Sequence, residues 1–215
     1  MNKKIAKLYD AGKTDRAIHL LIKQIDAHPK NVDNYLQLST YLLEQGSSDQ
    51  ATKLLEEAKH LVEKPRDLDY NLAVCYYMQG DFDKALNLLD QIPNDDLVLY
   101  QKALVYLKLG KKRKALAFAL TVKQVDNRVR ELLGDIWLSL GDMKQAKTNF
   151  TQIPEEERSA KVNFLLGVTL FAYNRDRAEK YFTRSKKMDK KYYQTAKNQY
   201  ASILKMLSGK GKKNG

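Results

Sequence analysis

The side chains able to do covalent or metal chemistry are few and scattered over the 215 residues. His19, His28 and His60 stand far apart, with no second His or Cys at the short spacings of a metal site, so no metal is expected. Cys75, the single cysteine, sits between Val74 and Tyr76 and reads as a small buried thiol rather than a nucleophile. Without a mate it forms no internal disulfide, and nothing in the chain points to an oxidising compartment. Gly209-Lys210-Gly211-Lys212 resembles a phosphate loop superficially but lacks the strand-loop-helix setting that such a loop needs. Carboxylate pairs such as Glu56-Glu57 fit solvated helix faces, and no Ser, His and Asp grouping recurs at a fixed offset. The expectation is a protein that is not an enzyme and holds no cofactor.

Charge is the second kind of chemistry, and it is unevenly placed. The formal net charge is +12. Residues 1–110 hold 14 basic and 16 acidic side chains, whereas residues 158–215 alone hold 15 basic and 3 acidic, so the excess lies at the C-terminal end. Lys111, Lys112, Arg113 and Lys114 form one cluster; Arg184, Lys186, Lys187, Lys190 and Lys191 form another, with Tyr192, Tyr193 and Tyr200 close in sequence. Lys and Arg attract phosphate through counterion release, and tyrosine stacks on bases, so one reading is nucleic acid, ribosomes or an acidic partner at this end. The other is a solvated face that aids solubility. No apolar run of signal-peptide length follows the basic N-terminus and no stretch of 18 apolar residues occurs, so membrane insertion is not expected and the cytosol is the expected location.

Helices must position these side chains. At 43% hydrophobic, with 10 Gly and 4 Pro, the chain is too apolar for disorder and too poor in turn residues for an all-β domain. Ala17, Ala51, Ala85, Ala115, Ala146 and Ala178 recur at spacings of 34, 34, 30, 31 and 32. A glycine stands five residues before each of the first five, at Gly12, Gly46, Gly80, Gly110 and Gly141; Asn174 takes that role in the sixth. Four residues after each alanine comes an apolar side chain, Leu21, Leu55, Leu89, Ala119, Phe150 or Phe182, on the same helix face. The pattern predicts hairpins of two antiparallel helices. The glycine, or Asn174, ends the first helix in the left-handed conformation, and the alanine sits where the two helices cross. The predicted pairs are 2–11/14–27, 31–45/48–63, 66–79/82–91, 94–109/112–124, 127–140/143–152 and 156–173/175–187. A capping helix over 190–207 follows, with Tyr193, Ala196, Tyr200, Ile203 or Leu204 and Leu207 on one face, then a basic disordered tail at 209–215.

First-helix fragments such as Leu72-Ala73-x2-Tyr76, Leu133-Gly134-x2-Trp137 and Leu166-Gly167-x2-Leu170, joined to these alanines, resemble the tetratricopeptide pattern over roughly residues 1–188. Departures include Lys102 where the fourth repeat should carry Leu. The resemblance implies an all-α, right-handed superhelical solenoid in one domain, 1–208, of about six hairpins whose first helices line a concave groove, and a non-catalytic adaptor or scaffold that binds proteins there. Counting back from each turn, the inward residues include Tyr70, Val74, Tyr77, Tyr100, Leu104, Leu107, Phe164 and Phe171. They suit an extended peptide or an amphipathic helix, or else pack between repeats. The basic fork that holds a chaperone's C-terminal carboxylate in some family members is missing, although Arg128 and Lys161 remain candidates for contact with another acidic peptide.

Overall fold

The structure, a computed structural model, describes residues 2–210. Among the described residues every regular element is helical. The chain divides into two compact units, Met1–Leu109 and Gly110–Gly215.

The first unit contains α1 (Lys3–Asp10), α2 (Thr14–Ala27), α3 (Val32–Glu44), α4 (Ser48–Ala58), α5 (Asp69–Gln79), α6 (Phe82–Leu89) and α7 (Asp96–Lys108). The second contains α8 (Lys112–Thr121), α9 (Asn127–Ser139), α10 (Met143–Thr151), α11 (Ala160–Leu170), α12 (Arg175–Met188) and α13 (Lys190–Lys210). All six repeat alanines are fully buried, where interiors are close-packed.

The turn after α5 shows how sequence ends one helix and starts the next. Gly80 takes φ 84°, the left-handed conformation that costs a residue without Cβ least. This lets Asp81 N–H donate to the Tyr76 carbonyl at 2.9 Å, closing the helix end. The Asp81 side chain then accepts from Lys84 N–H and caps α6. Asn174 departs from this scheme. Its φ is −150°, so it is not the left-handed terminator expected; its side chain instead accepts from Arg177 N–H at 3.0 Å and caps α12. With the turn one residue shorter, the Asn174 N–H bonds directly to Leu170 O and no left-handed step is needed.

Two first helices start later than expected because proline shapes the approach. Pro65 opens a short 3-10 segment, Pro65–Leu68, before α5, and Pro154 precedes another, Glu155–Glu157, before α11. α4 ends at Ala58 rather than running to 63, leaving Val62 buried in the turn that follows. In the second unit Ala196 is buried, and the rings of Tyr192, Tyr193 and Tyr200 pack on a core containing Phe164, Leu166 and Phe182. α13 therefore covers the apolar face of the last hairpin. The side chains of Ile203, Leu204 and Leu207 and the expected tail beyond residue 210 lie outside the described residues.

Candidate functional site

In the first unit, α3, α5 and α7 together wall a cleft of about 330 Å³. Thr40 and Leu43 enter it from α3, Tyr70, Asn71 and Val74 from α5, and Gln101 from α7; Glu44 and Met78 complete the rim. Antiparallel pairing places these residues together, because α4 and α6 pack on their own first helices and α5 lies against both α3 and α7. Tyr70 and Val74 are half-buried, and Met78 is 54% exposed. The lining combines apolar side chains with the amides of Asn71 and Gln101, and Glu44 is the charged side chain among its lining residues.

The other expected groove residues are distributed more widely. Tyr77 packs near Phe82, ring centroids 5.9 Å apart, while Tyr100, Leu104 and Leu107 are half-buried on α7 and do not line this cleft. Phe164 and Phe171 belong to the second unit. Phe164 is 1% exposed beneath the rings of Phe182, Tyr193 and Tyr200, so it is core under α13 rather than open groove surface. Phe171 is half-buried and lines a cavity of about 450 Å³ shared with Phe182 and Tyr193.

Lys161 and Arg128 do not offer a vacant fork for an anionic ligand. The Lys161 ammonium donates to Glu131 at 2.8 Å and to Asp135 at 2.5 Å. Burial alone would lower its pKa, but Asp135 and Glu131 outweigh burial and hold it above the ordinary lysine value. Arg128 is paired with Asp126 at 2.9 Å. Both cations are thus engaged by carboxylates, Arg128 by the residue that caps its own helix and Lys161 by two residues of the neighbouring first helix.

Among the expected basic residues, Lys111, Lys112, Arg113 and Lys114 are exposed and, with Leu140, line a shallow depression at the start of α8. Lys112 donates to the Ser139 carbonyl, which anchors it to the end of α9. Arg184 is tied to Glu155, whereas Lys186, Lys187, Lys190 and Lys191 are exposed. A second depression gathers Arg177, Lys180, Tyr181 and Arg184 around Glu155.

Two cations, Lys102 and Arg158, hold the fold. Lys102 is 4% exposed, with its ammonium 2.8 Å from Asn94 Oδ1 and 2.8 Å from Asp90, which explains how a lysine occupies the place expected for leucine. Arg158 is buried and donates to the carbonyls of Ile153 and Thr151, closing the C-terminal end of α10. No described helix is long and apolar enough to cross a membrane, and the described residues contain no group of three His, Cys, Asp or Glu able to hold a metal ion.

A family model described as "Tetratricopeptide repeat" matches residues 8–66 and 42–105. Residues 8–105 carry tetratricopeptide (TPR) repeats. No curated protein matches it in sequence. Solved structures share the TPR fold at low identity. A chain of the APC/C hetero-tetramer Cut9–Hcn1 aligns with a TM-score of 0.73 at 16% identity, covering 86% of this chain; this chain spans 39% of that one. PilF of Pseudomonas aeruginosa aligns with a TM-score of 0.70 at 17% identity over 92% of this chain and 95% of that one. YrrB, described as "a TPR protein with an unusual peptide-binding site", aligns with a TM-score of 0.55 at 17% identity, covering 83% and 97%.

Proposed function

We propose that this TPR protein is a non-catalytic adaptor or scaffold that takes an extended peptide segment of a partner protein in the first unit's cleft. The observation that carries this reading is the cleft itself, in which Tyr70, Val74, Leu43 and Met78 form an accessible apolar surface beside polar side chains that fix orientation. YrrB, which shares the fold, is described as having a peptide-binding site, in keeping with that use of the architecture. A cytosolic setting suits the lone, unpaired Cys75. The test is Tyr70→Ala against the native partner recovered from the cell. Truncating a central aromatic should cost about 2 kcal/mol, near thirtyfold in affinity, at an unchanged melting midpoint. Full affinity in the folded variant would reject the cleft as the binding surface.

The cationic depressions of the second unit favour a second reading, association with a polyanion such as RNA, DNA or ribosomes. It would operate through exposed Lys and Arg and would not involve Tyr70, so the two readings separate in one set of variants.

A further inference from the structure

The outward face of α12 differs in charge from the same face of other second helices. Positions one before and two, six and nine after the repeat alanine share one side of a helix, opposite that alanine. On α12 they are Arg177, Lys180, Arg184 and Lys187, four cations in one stripe. The first three positions are Gln50, Lys53 and Glu57 in the second hairpin, where Lys53 pairs with Glu57 at 4.0 Å. In the fifth they are Gln145, Thr148 and Gln152, with no charge. Like charges one turn apart repel, so solvation alone is better served by the pairing on α4 than by the uniform sign on α12.

The stripe borders a depression of about 310 Å³ lined by Arg177, Lys180, Tyr181, Arg184 and Glu155, three cations to one carboxylate. Glu155 holds the Arg184 guanidinium. Arg177, Lys180 and Lys187 are exposed and meet no carboxylate among the described residues. Tyr181 lies between stripe and core: it is half-buried, packs on the cluster of Phe164 and Phe182, and still lines the depression.

We propose that the α12 stripe tracks the backbone of a single-stranded nucleic acid, with one base stacked on Tyr181. This rests on the polyanion reading above and assigns that reading to α12. Residues three or four apart rise by about 5 Å along a helix, so the cations form a line of regular intervals. A line suits a ligand whose charge repeats, whereas a single phosphate group would be met by cations converging on one point. Tyr181 offers a flat ring that an acidic peptide would not require and that a base uses. A duplex keeps its base faces inside the stack, so a single strand is the form that fits.

Fluorescence anisotropy of the full chain with labelled oligouridylate and oligothymidylate of about twelve nucleotides, over a salt series, reads the assignment. Four phosphate contacts predict a slope of log affinity on log salt of about −3. Arg177→Gln combined with Lys180→Gln should cut that slope to about half at an unchanged melting midpoint. Tyr181→Leu should weaken binding about tenfold without altering the slope, and Tyr181→Phe should retain it. Tyr181→Leu also loses packing, so the exposed Arg177 and Lys180 keep the test independent of folding. A matched duplex should bind more weakly, and a polyglutamate peptide should not compete. The tighter of the two single strands identifies the sugar, and tight binding of either supports the assignment. A slope unmoved by the Arg177 and Lys180 pair but flattened by Lys111→Gln with Arg113→Gln would leave the polyanion reading standing and overturn the role of α12. Duplex bound as tightly as single strand, or full affinity in Tyr181→Leu, would overturn the stacked single strand, and competition by polyglutamate would assign the stripe to an acidic protein instead. No binding of any strand at the lowest salt would reject the polyanion reading and this inference together.

Discussion

The ring of Phe150 on α10 occupies the space that a side chain at Gly134 on α9 would need: a Cβ built there falls 2.3 Å from Phe150 Cε1. Gly167 and Phe182 are related in the same way, at 2.5 Å. In the third hairpin the corresponding pair is Ala73 and Leu89, so a larger first-helix residue accompanies a smaller second-helix residue. The sizes offset each other across the crossing.

Gly134→Ala should therefore destabilise the protein by about 1–3 kcal/mol through overpacking, even though alanine favours helix by about 1 kcal/mol over glycine. Adding Phe150→Leu should recover much of that loss by opening room for the methyl group. Chemical denaturation of the two single variants and the double variant checks this; additive losses in the double variant would show that the pair does not share one space.

The hairpins were legible in the sequence because two independent signals coincided at each turn: a glycine able to adopt positive φ, and an alanine five residues later at the crossing. Asn174 broke the first signal while keeping the second, and the hairpin survived because its side chain could cap the next helix instead. Residues whose work depends on neighbours distant in sequence were less readable. Lys102 departs from the repeat pattern and is accounted for only by Asp90 and Asn94 around it, and Phe164 shares the spacing of groove residues but is covered by α13.

Alkaline pH should weaken both units through their tyrosines. Burial pushes the Tyr76 hydroxyl up to about 12, assisted by its bond to Glu56, and burial pushes Tyr192 up to about 12 as well. Folding favours the protonated phenol in each case. The stabilisation is fully present below the unfolded value near 10 and is lost as pH rises through that interval toward about 12. Melting midpoints should fall across this window, and Tyr76→Phe and Tyr192→Phe should each flatten the fall. Tyrosinate absorbance that rises for these groups at the ordinary value, without unfolding, would contradict the burial argument.

Cys75 should react only after the structure opens. It is fully buried, and burial pushes its thiol up to about 11, leaving little thiolate at neutral pH. Labelling by a thiol reagent should be slow in native buffer and accelerate in proportion to the unfolded population as denaturant is added. Rapid labelling of the native protein would mean that α5 opens locally.

The basic end yields a prediction in which structural and electrostatic roles must be kept apart. Arg158 contributes to the charge excess but is buried and closes α10, so its removal should lower the melting midpoint whatever the chain binds, whereas Arg184 meets Glu155 at the surface, where an ion pair adds little stability. Lys186, Lys187 and Lys190 are exposed, and reversing them should leave the midpoint within about 0.5 kcal/mol of the starting stability. If a polyanion docks here, affinity for single-stranded RNA should fall steeply with salt, and the three reversals should flatten that dependence by removing released counterions. Electrophoretic mobility shifts over a salt series measure the slope. An unchanged slope in the folded triple variant would place any RNA contact elsewhere, and an absence of binding at the lowest salt would leave these lysines with a solvating role alone.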